Sequence, residues 1–376
     1  MSTARPPFGK PSLSPEGLRL REIQPTTDPR WDVYVSAHSG GLVYHTSAWL
    51  RVLEREYGQR PVCLALESPA GELCGILPLM ATRGLPFGLK SDVGRPRLSS
   101  LPRTPAAGPL ADDSDCLEML VRGAVERTRS GARLELKPAE PQLDGLLDEV
   151  VGYPWRISYD IKLPDRPEQV RFGRSRNHTR IRSGVRQSER QGVVVRRAGS
   201  IADVRAWYRL YLQAMRHNVV PARPWRLFEA MWDELHPRGL MRLLLAERDG
   251  QLLGGSILLM FGSTVFYAFN GVARGALPLR PNDLLQWQAI IDACSDGYRS
   301  YDLGEVPEGD EGLAHFKSKW GSEGRRLRRY SCPAPSSAQP HGEGEPGPLA
   351  GLAERGWQAV PLKATAAAGR LVYRYL

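Results

Sequence analysis

Residues 64–80, LALESPAGELCGILPLM, lie against residues 244–260, LLAERDGQLLGGSILLM, without a gap. Glu67 meets Glu247, Leu73 meets Leu253, Gly75 meets Gly255, and Leu79 with Met80 meets Leu259 with Met260. Each copy reads as strand, tight turn, strand: alternating apolar residues, a polar turn containing glycine, then a longer apolar run. Self-similarity at this separation predicts a duplicated domain, not a short repeat array.

The flanks follow the same order in both halves. Before the first hairpin, Ser47 to Tyr57 is helical by pattern. After it come an irregular Gly/Pro stretch from Gly84 to Pro109, a helix near Asp113 to Arg129 and a strand at Arg133 to Leu136. In the second half, Ala202 to Arg216 and Pro224 to Leu235 read as helices ahead of the hairpin. A strand at Thr264 to Asn270, a helix from about Pro281 to Asp296 and a strand at Ser300 to Leu303 follow. A shorter helix near Leu313 to Trp320 and a strand near Arg326 to Ser331 complete it. The expected fold class is α/β (α+β), with tandem domains that are each a twisted mixed sheet flanked by helices. The expected division is a disordered leader at 1–17, a first domain at 18–164, a basic helical connector at 165–192 and a second domain at 193–332. A Pro/Gly-rich linker at 333–348 and a helical tail at 349–376 end the chain.

Composition narrows the function classes. No apolar run reaches the ~18–20 residues needed to span a bilayer. The Pro/Ser-rich residues 1–15 lack a secretory core, so a cytoplasmic protein is expected. Cys63, Cys74, Cys116, Cys294 and Cys332 are scattered and form no CxxC pair, which predicts free thiols without a zinc site or a redox dithiol. The histidines show no HxxxH or HExxH spacing, and no metal is expected. The net charge is +10, and its excess is local: ten arginines stand against Glu168 and Glu189 between Arg166 and Arg197. On a helix Arg182, Arg186 and Arg190 form an i, i+4 stripe. Such a stripe suits phosphate, whether of tRNA, a nucleotide diphosphate, a lipid pyrophosphate or a membrane surface; the plain alternative is a solvated helix face.

Four stretches carry a family resemblance: VYHTSAWLRVLEREYG (43–58), GILPLM (75–80), RPNDLLQWQAIIDACSDGYRSYDLGE (280–305) and GLAHFKSKWG (312–321). They resemble the Fem-type branch of the GNAT acyltransferase superfamily, from about Leu18 to Tyr330. That branch includes enzymes that add amino acids to peptidoglycan precursors from aminoacyl-tRNA, and acetyltransferase-like relatives found with polysaccharide synthesis. The resemblance implies two GNAT-like domains, with a cleft between the second domain and the edge of the first. In Fem-type enzymes the Phe-Lys pair of the FK..(W/F)G motif helps bind the donor and stabilise charge during transfer, and the resemblance implies that role for Phe316 and Lys317. A fixed cation suits the oxyanion formed when an amine attacks a thioester or ester.

Further candidates follow from position. The loop Tyr301 to Gly312 follows a strand and leads to the helix with Lys317, so Asp302, Glu305 and His315 are candidate proton acceptors. Each also has a bland reading as a capped, solvated or half-buried group, and the family may rely on its substrate for proton transfer. The usual GNAT pyrophosphate loop is absent. In its place stands LPLRPNDLL, where Pro281 suits a first helical turn, Arg280 and Asn282 are candidate donor contacts, and Asp283 weakens an anion site. His217 to Pro221 departs from a His-Gly-x-Pro-Pro type turn and is expected to border the acceptor cleft. Trp49 and Trp287 read as core anchors.

The function expected is N-acyl transfer from a CoA-type donor to an amine of an amino sugar, amino acid or cell-envelope precursor. The acceptor is expected to be a small-molecule or lipid- or nucleotide-linked amine. No tightly bound cofactor is expected; acyl-CoA or aminoacyl-tRNA serves as co-substrate, with tRNA a candidate partner. The alternatives are an aminoacyl-tRNA-dependent transferase and a non-catalytic anion- or RNA-binding protein on the same duplicated fold.

Overall fold

A computed structural model describes residues 17–82, 96–128, 131–334 and 357–375. The expected leader up to residue 16, the linker from 335 and the first part of the tail lie outside the described residues. The first half holds β1 (Arg19–Glu22), α1 (Arg30–Ala37), α2 (Ser47–Tyr57), β2 (Val62–Glu67), β3 (Leu73–Thr82), β4 (Arg97–Ser99), β5 (Leu110–Ala111), α3 (Ser114–Glu126) and β6 (Arg133–Leu136). β7 (Val151–Lys162), α4 (Ser175–Arg190) and β8 (Val194–Arg197) lead into α5 (Ile201–His217) and α6 (Trp225–Glu234). Then come β9 (Met241–Arg248), β10 (Gln251–Phe261), β11 (Thr264–Val272), α7 (Pro281–Ser295), β12 (Ser300–Val306), α8 (Glu311–Ser318), β13 (Glu323–Cys332) and α9 (Leu362–Tyr375).

The strands form one mixed sheet in the order β1-β2-β3-β4-β6-β13-β7-β12-β11-β10-β9-β8, with β5 on β3. Two equivalent six-stranded units are visible in that order. Each has an antiparallel ladder, one parallel pair, and a last antiparallel strand contributed by the other half of the chain. In the first unit β4 runs parallel to β6 and β13 closes beside β6. In the second, β11 runs parallel to β12 and β7 closes beside β12. β7 and β13 pair with each other from Val151↔Ser331 to Asp160↔Glu323 and fuse the units. A cut at residue 164 or 193 therefore divides the chain, while each sheet unit borrows a strand across that division.

The two echoed hairpins occupy the same place in their units, and each second strand carries a bulge. Their turns differ by one residue: Gly75 pairs with Leu66, whereas Gly255 pairs with Leu245, one short of the residue that the gapless alignment gives. The long apolar runs reflect burial on both faces. On β10, Ile257 and Leu259 join a core with α2, α5 and α6, while Leu258 and Met260 face α7. On β3, Ile76 faces that shared core and Leu77 faces α3. The first face is thus covered by helices from both halves, and between them a buried ion pair joins Arg223 to Glu56 of α2 at 2.7 Å.

Local signals set the helix ends. Thr46 accepts from the Trp49 amide at the start of α2, and Gly58 ends that helix at φ +72°. Asp113 caps α3 and Asp310 caps α8 in the same way. Pro281 opens α7 after Arg280, which takes a left-handed turn at φ +54°. β7 has no counterpart among the strands expected from the sequence. Its string VGYPWRISYDIK is polar and contains Pro154, which sits beside a register shift of the β13–β7 ladder, where a strand tolerates proline.

Candidate active site

The parallel pairing of β11 with β12 runs only from Thr264↔Ser300 to Phe266↔Asp302. Beyond that point β11 follows β10 and β12 follows β7, so the two strands part. Asp302 and Glu305 lie at the parting, on either side of Gly304, where the β12–β7 ladder bulges. Gly304 has φ +80°, and its amide donates to Asp302 Oδ1 at 2.5 Å. A methyl group there would stand 3.7 Å from Lys317 Nζ, in a conformation that side chains disfavour.

Lys317 comes from the last turn of α8 and is 5% exposed. Its ammonium donates to the Glu305 carbonyl at 3.1 Å. Burial pushes its pKa down to about 8, against the pull of Asp302 and Glu305. Burial also pushes Asp302 up to about 6, opposed by the Gly304 amide and Lys317. Between those values the lysine is an ammonium and the aspartate a carboxylate, in one recess. Glu305 is differently placed: one carboxylate oxygen meets Arg329 at 3.3 Å and the other accepts from Trp155 Nε1 at 3.1 Å.

The other expected residues divide. His315 is exposed on α8 and lies outside the cavity that Lys317 lines. Phe316 is half-buried away from Lys317, with the Lys319 ammonium 4.5 Å from its ring centre. It lines a separate recess of about 440 Å³ with Gln187, Arg280 and Asn282. Asp283 is neutralised there by Lys319 at 2.9 Å and Arg280 at 3.7 Å, so its charge is offset. Asn282 accepts from Asn270, which in turn accepts from Ser256, both at 3.1 Å. Because Asn270 lines the larger cavity, this pair of asparagines stands between the two spaces. His217 is exposed and 3.0 Å from Arg274, outside both; Arg223 of the same connection reaches the cavity instead.

The larger cavity has a volume of about 2200 Å³ and is walled by both halves. The first half brings a second buried lysine, Lys137, which is not among the residues expected from the sequence. Its ammonium donates to the Leu101 carbonyl at 2.9 Å and lies 3.6 Å from Glu135, with burial lowering its pKa to about 8. Burial works to raise Glu135, but Lys137, Arg329 and Arg97 hold its carboxyl below the usual range. The available signal was the period-two run of Arg133 and Glu135 in β6 continued by Lys137 just past its end. Trp49 and Trp287 are both packed, Trp49 against Tyr44 at 5.2 Å and Trp287 against Phe172 at 5.4 Å.

The basic segment forms α4, which buries Ile181, Gly184, Val185 and Ser188. Arg182 lies 4.7 Å over the Trp287 ring, while Arg176, Arg180, Arg186 and Arg190 are exposed, without a carboxylate partner among the described residues. Arg196 and Arg197 differ, being paired with Asp203, Glu247 and Asp292. A methyl group at Gly184 would stand 3.0 Å from Arg280, so α4 rests against the start of α7. No described helix is long and apolar enough to cross a membrane.

The family model of the GNAT acetyltransferase domain matches residues 175–318, a span that contains the β11/β12 parting and Lys317 but neither exchanged strand. A UDP-N-acetylmuramoylpentapeptide-lysine N(6)-alanyltransferase of Weissella viridescens is 27% identical over 145 residues. That match covers 37% of this chain and 41% of the relative. The crystal structure of FemX superposes with a TM-score of 0.65 at 17% identity, covering 83% of this chain and 96% of that one. Over most of its length the chain has the fold of FemX, and residues 175–318 match the GNAT acetyltransferase domain. Across this Fem-type fold a further likeness extends to the C-terminal domain of a putative lysylphosphatidylglycerol synthetase from Agrobacterium fabrum, with a TM-score of 0.56 at 13% identity. It covers 82% of this chain and 92% of that domain.

Proposed function

We propose that this protein is an N-acyltransferase, moving an acyl group from a CoA-type donor to an amine of an amino sugar, amino acid or cell-envelope precursor in the cytoplasm. The observation that carries the reading is the buried Lys317 ammonium beside Asp302 where β11 and β12 part. The acceptor amine attacks the thioester carbonyl, forming a C–N bond and an oxyanion. Lys317 offsets that charge from a site shielded from water, where one such donor is worth about 2.7–4 kcal/mol. Asp302 receives the amine's proton and the thiolate departs as the C–S bond breaks, taking a proton in turn. An acid with a pKa near 6 suits both steps. Glu305 is committed to Arg329 and Trp155, and His315 has no part in the step.

One observation favours an aminoacyl-tRNA donor instead: α4, which carries the exposed arginines, lines through Gln187 the recess shared by Phe316, Arg280 and Asn282. The chemistry would be unchanged, with an ester in place of the thioester. The alanyltransferase named above also supports an aminoacyl group and an envelope-precursor acceptor. The test is donor consumption by mass spectrometry, wild type beside Lys317→Ala, against acyl-CoAs and charged tRNAs. Lysine-dependent loss of a thioester supports the CoA reading, and lysine-dependent loss of an aminoacyl ester supports the tRNA reading. Consumption of neither donor by the wild type would leave a non-catalytic anion-binding role, and turnover unaffected by the substitution would remove Lys317 from the site.

A further inference from the structure

Arg329 is the most deeply buried cation of the cavity wall, 4% exposed, and no step of the proposed chemistry uses it. It stands on β13 opposite Tyr153 of β7, in the strand that the second half lends to the first unit. Its Nη2 lies 3.3 Å from Glu305 Oε1, and its guanidinium lies 5.0 Å over the Trp155 ring. Trp155 donates to the other oxygen of Glu305 at 3.1 Å. The carboxylate is therefore held at both ends. The main-chain carbonyl of the same Glu305 receives the Lys317 ammonium at 3.1 Å, and the Gly304 amide fixes Asp302 at 2.5 Å.

Burying a guanidinium is costly, and apolar residues of similar volume serve a purely structural place as well or better. What the ion pair supplies here is direction: a fork and a ring that fix one side chain, and through it one carbonyl. We propose that Arg329 is a positioning residue for acyl transfer, clamping Glu305 so that its carbonyl holds the Lys317 ammonium at the parting of β11 and β12. This inference rests on the acyltransferase reading above. It gives the first sheet unit a part in the chemistry of the second. The charged groups around the pair are Asp302, Arg156 and Asp310 about Lys317, and Glu135, Tyr153 and Arg156 about Arg329.

The test is a double-mutant cycle on donor turnover, with Arg329→Met and Arg329→Lys in the wild-type and Lys317→Ala backgrounds. Arg329→Met is expected to lower kcat by about tenfold or more, leave donor KM within about twofold, and move the alkaline limb of the pH–rate profile. Arg329→Lys is expected to recover part of the loss. In the Lys317→Ala background the same substitution is expected to change kcat by less than about twofold, because its effect passes through the lysine. Equal losses in both backgrounds, or wild-type kcat and pH profile for Arg329→Met, overturn the positioning role. Failure of the wild type to consume any acyl-CoA or charged tRNA sinks the acyltransferase reading itself, whereas wild-type turnover of Lys317→Ala overturns only the positioning role, which separates the two failures. If Arg329→Met does not fold, Trp155→Phe removes the second hydrogen bond to Glu305 and keeps the ring. It carries the same expectation, and an unchanged pH profile for it counts against the proposal.

Discussion

Lys317 and Asp302 share one recess with pKa values moved toward each other, to about 8 and about 6. If the ammonium and the carboxylate are both required, turnover rises as Asp302 loses its proton and falls as Lys317 loses its own. A bell centred near pH 7, with limbs near 6 and 8, is the expected kcat profile. Asp302→Asn should remove the acid limb along with most of the activity, and Lys317→Ala should lower turnover by on the order of a hundredfold. Stopped assays between pH 5 and 9 check both. Lys317 was legible because a motif surrounds it, and Asp302 and Glu305 because their segment stands between a strand and the helix that carries Lys317. Their separate jobs were not legible, since only the fold brings Trp155 and Arg329 to Glu305. His315 falls out for a reason visible in the string: two helical residues separate side chains by about 200°. Lys137 was not legible because a lysine after a short strand reads as solvated until the opposite wall of the cavity is in place.

At the scale of single elements, α4 and the echoed hairpins make distinct claims. The inner face of α4 packs on α7, and its outer face carries polar and charged side chains, cationic except for Glu189. Replacing Arg182, Arg186 and Arg190 with Gln should weaken polyanion binding and flatten its salt dependence by roughly 0.7–0.9 in log–log slope for each phosphate no longer neutralised. Filter binding of tRNA at several salt concentrations measures it, and an unaltered slope assigns the helix to solvent alone. In the sheet, a methyl group at Gly271 would meet the α5 backbone at Tyr211 N, 2.6 Å away. Gly271→Ala should cost on the order of 2 kcal/mol by forcing helix and strand apart, readable as a lower denaturant midpoint. Hairpins and helices with a clean period were readable from sequence. β7 was not, because it places Tyr153, Trp155 and Ser158 on the cavity wall and so shows no apolar alternation.

Over the whole molecule, the duplication was visible in the hairpin echo, whereas the exchange of β7 and β13 was not. Nothing local distinguishes a strand that pairs with its own half from one that pairs across the chain. A chain ending at Ser322 tests the exchange, because it lacks β13 yet keeps every other strand of both units. It is expected to lose amide protection in β6 of the first half as well as in β7, by hydrogen exchange. Undiminished protection in β6 would show the first unit to be complete without its borrowed strand. The same exchange orders events during synthesis. β6 leaves the ribosome long before β13 is made, and at 5–20 residues per second the interval is roughly 10–40 s. Through that interval the nascent chain carries an unpaired strand edge that a second nascent copy could occupy. Synthesis rate and chaperone supply should therefore govern the yield of active protein even where the finished fold is stable.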